Sequence, residues 1–164
     1  MHMQRTVRLR LSPTSEQAAV LQDTLGQSTA CFNAVATYGW EHGEKNGVKL
    51  HQATYYPLRA EYPNLPTNVL CAARVKATEA IKSGFVRQRQ GRKTSCPTSH
   101  CAPIRYNARS YRLLPSQGRV SLATTAGRII VPFSLNSQAA GLLTQAVGFD
   151  SADLMLRKGQ FWLH

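Results

Sequence analysis

The sequence predicts an α+β fold in which a β-barrel-like domain is interrupted by an inserted helical segment. Three observations predict it: an alternating apolar and basic stretch opens the chain, two long helical patterns follow, and short strand patterns fill the second half. We therefore expect residues 1–13 and 94–164 to form the barrel-like domain and residues 14–93 to form the insertion. Hydrophobic residues make up 43% of the 164 residues, which excludes wholesale disorder.

The first strand is predicted at residues 4–11. Leu9 and Leu11 point to one face and Arg8 and Arg10 to the other, which is typical of a half-buried strand. The outer face of this strand is therefore expected to be basic.

The first two helices follow that strand. Thr14 and Gln17 have the spacing of a capping box, so a helix of about 25 residues is predicted to begin near Ser15 and to end around residues 39–43. A loop and a short helix over residues 50–60 are expected next.

A third, long helix is predicted over residues 67–90, with Thr67 as its N-cap. Ala73 and Ile81 belong to its apolar stripe, and Lys82 lies off that stripe. The helix is thus predicted to be amphipathic with a basic exposed face.

The second half of the chain reads as strands with one further helix. Strands are predicted at residues 105–114, 119–124, 128–133, 153–156 and 160–163, and a helix at residues 136–147. Ala126 and Gly127 form one predicted hairpin turn, and Lys158 and Gly159 form another.

The charge of the chain points to an anionic partner. Lys and Arg total 20 against 8 Asp and Glu, which gives a formal net charge of +12. No acid stands between Glu79 and Asp150, so the positive charge is concentrated in residues 74–128. Nucleic acid is the favoured partner, since each neutralised phosphate releases condensed counterions. A membrane surface is the weaker alternative, because no basic helix with a broad aromatic face is present.

Two tyrosines stand beside arginines in the predicted strand of residues 105–114. Tyr106 and Tyr111 are five positions apart, which places them on opposite faces of a regular strand unless a bulge intervenes. We expect Tyr106 to be exposed and to stack on a base, with a core position as the alternative.

The sequence offers little for catalysis or metal binding. Cys96, His100 and Cys101 supply three ligand types in six residues, but a closed zinc site needs a fourth, so we expect a loop with incidental thiols. Asp150 and Asp153 are too few for a two-metal nuclease and are interpreted as turn or cap residues. No cofactor is expected in this chain. No secretory leader or membrane span is apparent either, which favours a cytoplasmic protein.

Six stretches together carry a family resemblance. They are, in order, VRLRLSPTSEQ at residues 7–17, CFNA at 31–34, LPT at 65–67, FVRQR at 85–89, YNARSYRL at 106–113 and LMLRKGQFWL at 154–163. In this order they resemble the TnpB (OrfB) proteins of bacterial insertion sequences. The resemblance runs along nearly the whole chain.

The resemblance implies an RNA-guided DNA endonuclease related to the type V CRISPR effectors. In such proteins a β-barrel wedge domain, interrupted by a helical recognition lobe, grips the guide RNA and the RNA–DNA hybrid. A RuvC-type nuclease domain and a zinc ribbon follow in the family, and neither has a counterpart here. We therefore expect the N-terminal, nucleic-acid-binding portion of such a protein, from a bacterial cytoplasm and associated with the nucleoid, and not an enzyme by itself. A separate or missing RuvC and zinc-ribbon half would be its partner.

The predicted nucleic-acid-binding residues lie on the first strand, at the end of the third helix or beside the tyrosines. They are Arg8, Arg10, Lys82, Arg87, Arg89, Arg92, Lys93, Arg105, Tyr106, Arg109 and Arg112. The alternative interpretation is a free-standing regulator or transposon accessory protein that binds double-stranded DNA through the third helix. A ribosomal component is a further alternative.

Overall fold

The computed structural model describes residues 3–164. The elements of this range alternate between a helical middle and strands on either side. In order they are β1 Leu9–Leu11, α1 Ser15–Glu41, α2 Gly47–Glu61, α3 Thr67–Arg89, β2 Ile104–Tyr106, β3 Tyr111–Leu114, a 3-10 turn at Pro115–Gln117, β4 Arg119–Thr124, β5 Gly127–Ser134, α4 Ser137–Gln145, β6 Ala152–Arg157 and β7 Gln160–Leu163.

All seven strands belong to one antiparallel sheet with the order β2-β6-β7-β1-β5-β4-β3. The first strand of the chain is therefore the central one, and Arg10 is in register with Trp162 on one side and Ser134 on the other. Along the chain, the helices α1 to α3 follow β1 and precede the other six strands of the sheet. This confirms the predicted α+β class with a barrel-like sheet and a helical segment between its strands.

The sheet is curled so that its two edges approach each other. β2 and β3 are the edge strands, yet the chain joins them through residues 107–110 alone. Seven strands laid flat would separate these edges by about 29 Å, whereas the chain from Tyr106 to Tyr111 reaches about 17 Å at most. The short connection therefore requires the curl.

The first helix has the predicted start. The side chain of Thr14 accepts a hydrogen bond from the Gln17 backbone N–H at 3.2 Å, and the Gln17 side chain accepts one from the Thr14 backbone N–H at 3.1 Å. Further along, the Gln17 amide also donates to the Ile130 carbonyl of β5 at 2.8 Å. The capping box thus starts the helix and ties it to the sheet.

The helices pack closely where α1 meets α3. Gly39 and Gly84 leave no room for a side chain: a Cβ atom would come within 2.5 Å of Ile81 Cδ1 at the first and 2.7 Å of Trp40 Cζ3 at the second. The rings of Trp40 and Phe85 stack beside this contact, with centroids 5.1 Å apart.

Four boundaries differ from the predicted ones. The predicted strand of residues 105–114 is split by a turn into β2 and β3. The first strand is confined to Leu9–Leu11, and α2 begins at Gly47 because Asn46 caps it, with its side chain accepting from the N–H groups of the second and third helical residues. Thr67 is the first residue of α3 and not its cap, and the cap position is held by Pro66.

One apolar cluster includes side chains from the sheet and from the helices, with Leu11, Leu25, Ile81 and Leu163 among its members. The domain boundaries at residues 13 and 94 stay a prediction. Within residues 3–164, no helix has both the length and the apolar character that crossing a bilayer requires.

Candidate nucleic-acid interface

Five exposed cations lie at the end of α3 and just beyond it. We call this set the helix-end cluster, and its members are Lys82, Arg87, Arg89, Arg92 and Lys93. Arg87 and Arg89 occupy the last turn of the helix, where the partial negative charge of the free carbonyl groups favours cations. The structure therefore places these five predicted residues together on one end of the helical segment.

Four members of the helix-end cluster lie away from the sheet, whereas Lys82 lies nearer to it, three residues after Glu79, which pairs with Arg105 of β2. Thr24 of α1 accepts a hydrogen bond from the N–H of Thr125, in the turn between β4 and β5, at 3.1 Å. Trp40 lies about 24 Å farther along α1, at 1.5 Å of rise per residue, and contacts Gly84 of α3. The cations after Gly84 are thus presented at the end of the helices that is distant from the sheet.

The segment that returns from the helix-end cluster to β2 is tied down along α1. The Asn33 side chain donates to the Ser99 carbonyl and accepts from the Ser99 N–H, each at 2.9 Å. Thr29 accepts from the Ala102 N–H at 2.9 Å. Asn33 belongs to the CFNA stretch of the sequence, so its motif has a structural function here: it positions the basic segment.

A second group of exposed cations lies on the outer face of β3, β4 and β5. We call it the sheet-face cluster, and its members are Arg109, Arg112, Arg119 and Arg128. Their shared face follows from the strand register, which sets Arg112 opposite Ser121, Arg119 opposite Pro132 and Arg128 opposite Ala123. The acid-free stretch between Glu79 and Asp150 includes all three strands, so no carboxylate of these strands neutralises the cluster.

Arg128 also has a structural part in the sheet-face cluster. Its guanidinium donates to Ser121 Oγ at 3.1 Å and to the backbone carbonyl of Arg109. These bonds hold the turn that carries Arg109 against the hairpin of β4 and β5.

Arg8 and Arg10 are exposed on the same side of the sheet, on and just before β1, as predicted for the basic face of that strand. The Arg10 Nε–H donates to Gln160 Oε1 at 3.1 Å. Arg8 lies near His164, and burial of the ring, followed by the charges of Arg8 and Arg157, lowers the pKa of His164.

Arg105 is paired with acidic side chains, and its assignment as a phosphate contact stays a prediction. Its guanidinium pairs with Glu79 of α3 at 3.2 Å and approaches Asp153 of β6 to 3.8 Å. Lys76 pairs with the same Asp153 at 3.1 Å. These groups attach α3 to the sheet edge, so the charge of Arg105 is partly balanced by Glu79 and Asp153.

The stacking role predicted for Tyr106 is wrong. The side chain has no exposed surface, and its hydroxyl donates to the Ala123 carbonyl at 2.9 Å. Tyr111 is also buried, and its hydroxyl donates to the Asp150 carbonyl at 2.6 Å. The argument from opposite strand faces failed because a turn separates the two residues, so each points inward from its own strand.

Three exposed or half-exposed residues of the outer sheet face were not among the residues predicted for the interface. Arg119 and Arg128 lie beside Arg112, and Trp162 lies beside Arg10. The period-two alternation of the predicted strands was the signal that would have placed all three opposite the core residues.

Within the described part of the chain, no three His, Cys, Asp or Glu side chains are grouped as a metal site would require. Cys101 is exposed and Cys96 is half-buried in the segment before β2. Asp153 is held by the two cations named above, and Asp150 is exposed in the loop before β6.

Residues 1–35 match the family model HTH_OrfB_IS605, which is described as a helix-turn-helix domain. The match covers 35 of the 164 residues. The comparison with curated proteins found no match. Over the matched residues that are described, 3–35, the chain forms β1 and an unbroken stretch of α1, without a turn between two helices.

Proposed function

We propose that the chain is the nucleic-acid-binding portion of an OrfB (TnpB) transposon protein of the IS605 type, and the match of residues 1–35 to the HTH_OrfB_IS605 family model supports this. Its ligand is a guide RNA and the RNA–DNA hybrid that the guide forms with target DNA. A RuvC domain and a zinc ribbon outside these residues cut that DNA. The protein acts in the cytoplasm of a bacterium, close to the nucleoid.

The observation that carries the proposal is the pair of exposed, acid-free cation groups. The helix-end and sheet-face clusters together present nine Lys and Arg side chains without an acid in their own segments. Cations of this number and exposure suit phosphates, and Arg in particular forms two parallel hydrogen bonds to a phosphate.

The two clusters also suit an extended ligand. Most of the length of α1 separates the cations after Gly84 from the β4–β5 hairpin of the sheet-face cluster, so a small anion reaches only one of these groups, whereas a duplex of several base pairs spans the distance. Contacts to the backbone over such a distance recognise the shape of a duplex rather than its sequence.

The second candidate function is binding of double-stranded DNA without a guide. The helix-turn-helix description of the matched family model favours it. The fold of residues 3–35 argues against the usual form of that function, because one strand and one unbroken helix leave no second helix there to enter a major groove. The third helix, with its basic end, is the remaining element for this purpose.

A competition assay tests the proposal. The purified chain is mixed with a labelled hairpin RNA and challenged with unlabelled hairpin RNA, RNA–DNA hybrid or duplex DNA of equal length, across a salt series. We expect RNA and hybrid to compete better than duplex DNA, with an affinity that falls steeply with salt. Better competition by duplex DNA would support the second candidate, and the absence of salt-dependent binding to any of the three would contradict both.

A further inference from the structure

Trp162 lies on the outer face of the sheet. Its neighbours along β7, Phe161 and Leu163, are 4% and 2% exposed and face the core, so the indole between them points the other way. The register places Arg10 of β1 beside it and Met155 of β6 on its other side. The side chain is half-buried by these neighbours rather than by the core.

The position of this ring is not explained by the fold. A large aromatic side chain on the solvent side of an antiparallel sheet adds no volume to the core. Within the part of the chain that is described, the four close ring pairs involve residues of α1, α2 and α3, and none includes Trp162. The ring is thus partly exposed and takes part in none of these aromatic pairs.

Two guanidinium groups and one amide lie near the ring, in addition to Met155. Arg157 of β6 is paired in register with Gln160 of β7, two positions before the tryptophan on the same face. The Gln160 side chain holds the Arg10 guanidinium beside the strand. Asp153 also lies on this face, but Lys76 and Arg105 engage it. The surroundings of the indole are therefore positive.

A depression is lined by two neighbours of the ring, Arg10 and Gln160, but not by Trp162 itself. It has a volume of about 470 Å3, and Arg10, Ser12, Thr14, Ser134 and Gln160 are among its lining residues. Guanidinium, hydroxyl and amide groups of this kind suit a sugar and its phosphates.

We propose that Trp162 is a stacking platform for an unpaired nucleobase, with Arg10 and Arg157 binding the phosphates on either side of it. This inference rests on the proposed function and adds to it a single-stranded ligand segment with a fixed place on the protein. Base–aromatic stacking is tolerant of sequence and is available to RNA and DNA alike, since every base has a π-face. A base inside a duplex is covered by its neighbours and cannot use the platform.

The fluorescence of the Trp162 indole can report stacking directly. Trp40 and Trp162 are the two tryptophans of the chain, so a Trp40→Phe variant leaves fluorescence from Trp162 alone. The probes are a 12-residue oligouridylate, a 12-residue oligothymidylate and a blunt duplex with the same number of phosphates as either, with binding followed independently by the anisotropy of an end label. We expect a single strand to quench the fluorescence as it binds and the duplex to bind without quenching. Quenching by both single strands would support stacking that ignores the sugar, and quenching by one alone would support stacking that depends on it.

Binding of the single strands with unchanged fluorescence would overturn the inference and leave the proposed function standing. Failure of every probe to bind would overturn both. If the Trp40→Phe chain is unstable, the difference between the wild-type spectrum and that of Trp162→Phe gives the same information.

Two substitutions of Trp162 distinguish the effect of its aromatic ring from the effect of its size. Trp162→Leu keeps an apolar side chain without a π-face and is expected to weaken single-strand binding by about tenfold while duplex binding is unchanged. Trp162→Tyr is the matched control and is expected to retain most of the affinity. Equal loss in the two variants, or equal loss for single strands and duplex, would identify Trp162 as a structural residue.

Discussion

The hydroxyl of Tyr106 donates a hydrogen bond of 2.9 Å to the carbonyl of Ala123. The first residue belongs to β2, at one edge of the sheet, and the second to β4, which lies next to the other edge strand. The bond therefore crosses the gap that backbone pairing leaves open between β2 and β3. Together with the short turn at residues 107–110, it explains why an open order of seven strands has a barrel-like shape.

Removing that hydroxyl tests its structural role. Tyr106→Phe keeps the buried ring but leaves the Ala123 carbonyl without its donor, so we expect a loss of about 1–2 kcal/mol in the free energy of unfolding. Urea denaturation measures it, and the affinity for RNA below the transition should be unchanged. A variant of normal stability would show that this bond contributes little to holding the sheet closed.

The stability of the protein is expected to fall in alkaline solution. Burial, with a smaller contribution from the charge of Glu61, raises the pKa of Cys31 from 9.0 to about 12, and burial also raises the pKa of Tyr106. Above pH 9 the unfolded chain loses protons that the folded chain retains, so the stabilisation present below pH 9 is lost as the pH rises toward 12. Urea midpoints measured between pH 8 and 11 check this, and Cys31→Ala should flatten the dependence. An equally steep dependence in Cys31→Ala and Tyr106→Phe would exclude both groups as its source.

The contact between α1 and α3 predicts opposite effects of two glycine substitutions. In Gly84→Ala the new Cβ atom meets the Trp40 ring at 2.7 Å, so a cost of about 1–3 kcal/mol is expected. Gly26 lies in the interior of α1 with nothing within 4 Å of its would-be Cβ, and Gly26→Ala should stabilise the protein by about 0.5–1 kcal/mol. Thermal unfolding of the pair measures the difference. Equal midpoints would show that the helices adjust their separation freely.

The two bonds from Asn33 to Ser99 predict the protease sensitivity of the basic segment. Asn33→Ala removes both bonds, so trypsin should cleave after Arg92 and Lys93 several times faster than in the wild type. Asn33→Asp keeps an acceptor for the Ser99 N–H but loses the amide donor, and its cleavage rate should lie between the two. Mass spectrometry of the early products locates the cuts. Unchanged cleavage in the alanine variant would show that other contacts hold the segment.

The helix-end cluster predicts a change in the salt dependence of RNA binding. Replacing Arg87, Arg89 and Arg92 together by Ala should lower the slope of log K against log salt by up to about 3 units, because each contact releases about one counterion. Lys45→Ala with Lys49→Ala, which removes two charges against three in the triple variant, is the control for charge lost outside the cluster, and Lys49 already lies 3.8 Å from Glu44. Filter binding at four salt concentrations is sufficient. The assignment fails if the triple variant and the control have the same slope.

The elements that sequence predicted well have local causes. A capping box starts α1, alternation defines β1, and the turn at Lys158 and Gly159 has positive φ angles of 49° and 74°, as the two-residue hairpin signal requires. These causes lie within a few residues of each other, so they can be read from the sequence.

The features that were not predicted have two causes. Some depend on contacts between residues far apart in the sequence, and one depends on a turn that contains neither Gly nor Pro. The turn after Tyr106 is held by the side chains of Asn107 and Ser110, with the Asn107 N–H donating to the Ser110 hydroxyl at 2.9 Å. Asn and Ser are turn formers, and this signal was available. By contrast, the pairing of Arg105 with Glu79 joins residues of different elements, and only the packing of α3 against the sheet brings them together. The register that brings Trp162 beside Arg10 has the same origin.

The central place of β1 has a consequence for the order in which the chain acquires its structure. Its partners β5 and β7 are synthesised long after it, whereas α1, α2 and α3 are neighbours in the chain and contact each other directly. During synthesis on the ribosome, the residues of the three helices are complete before either partner strand of Leu9–Leu11 has been made. Closure of the sheet then depends on contacts between residues of very large sequence separation, which is the slow kind of step in folding. Until then the strand that will become the middle of the sheet has two unpaired edges.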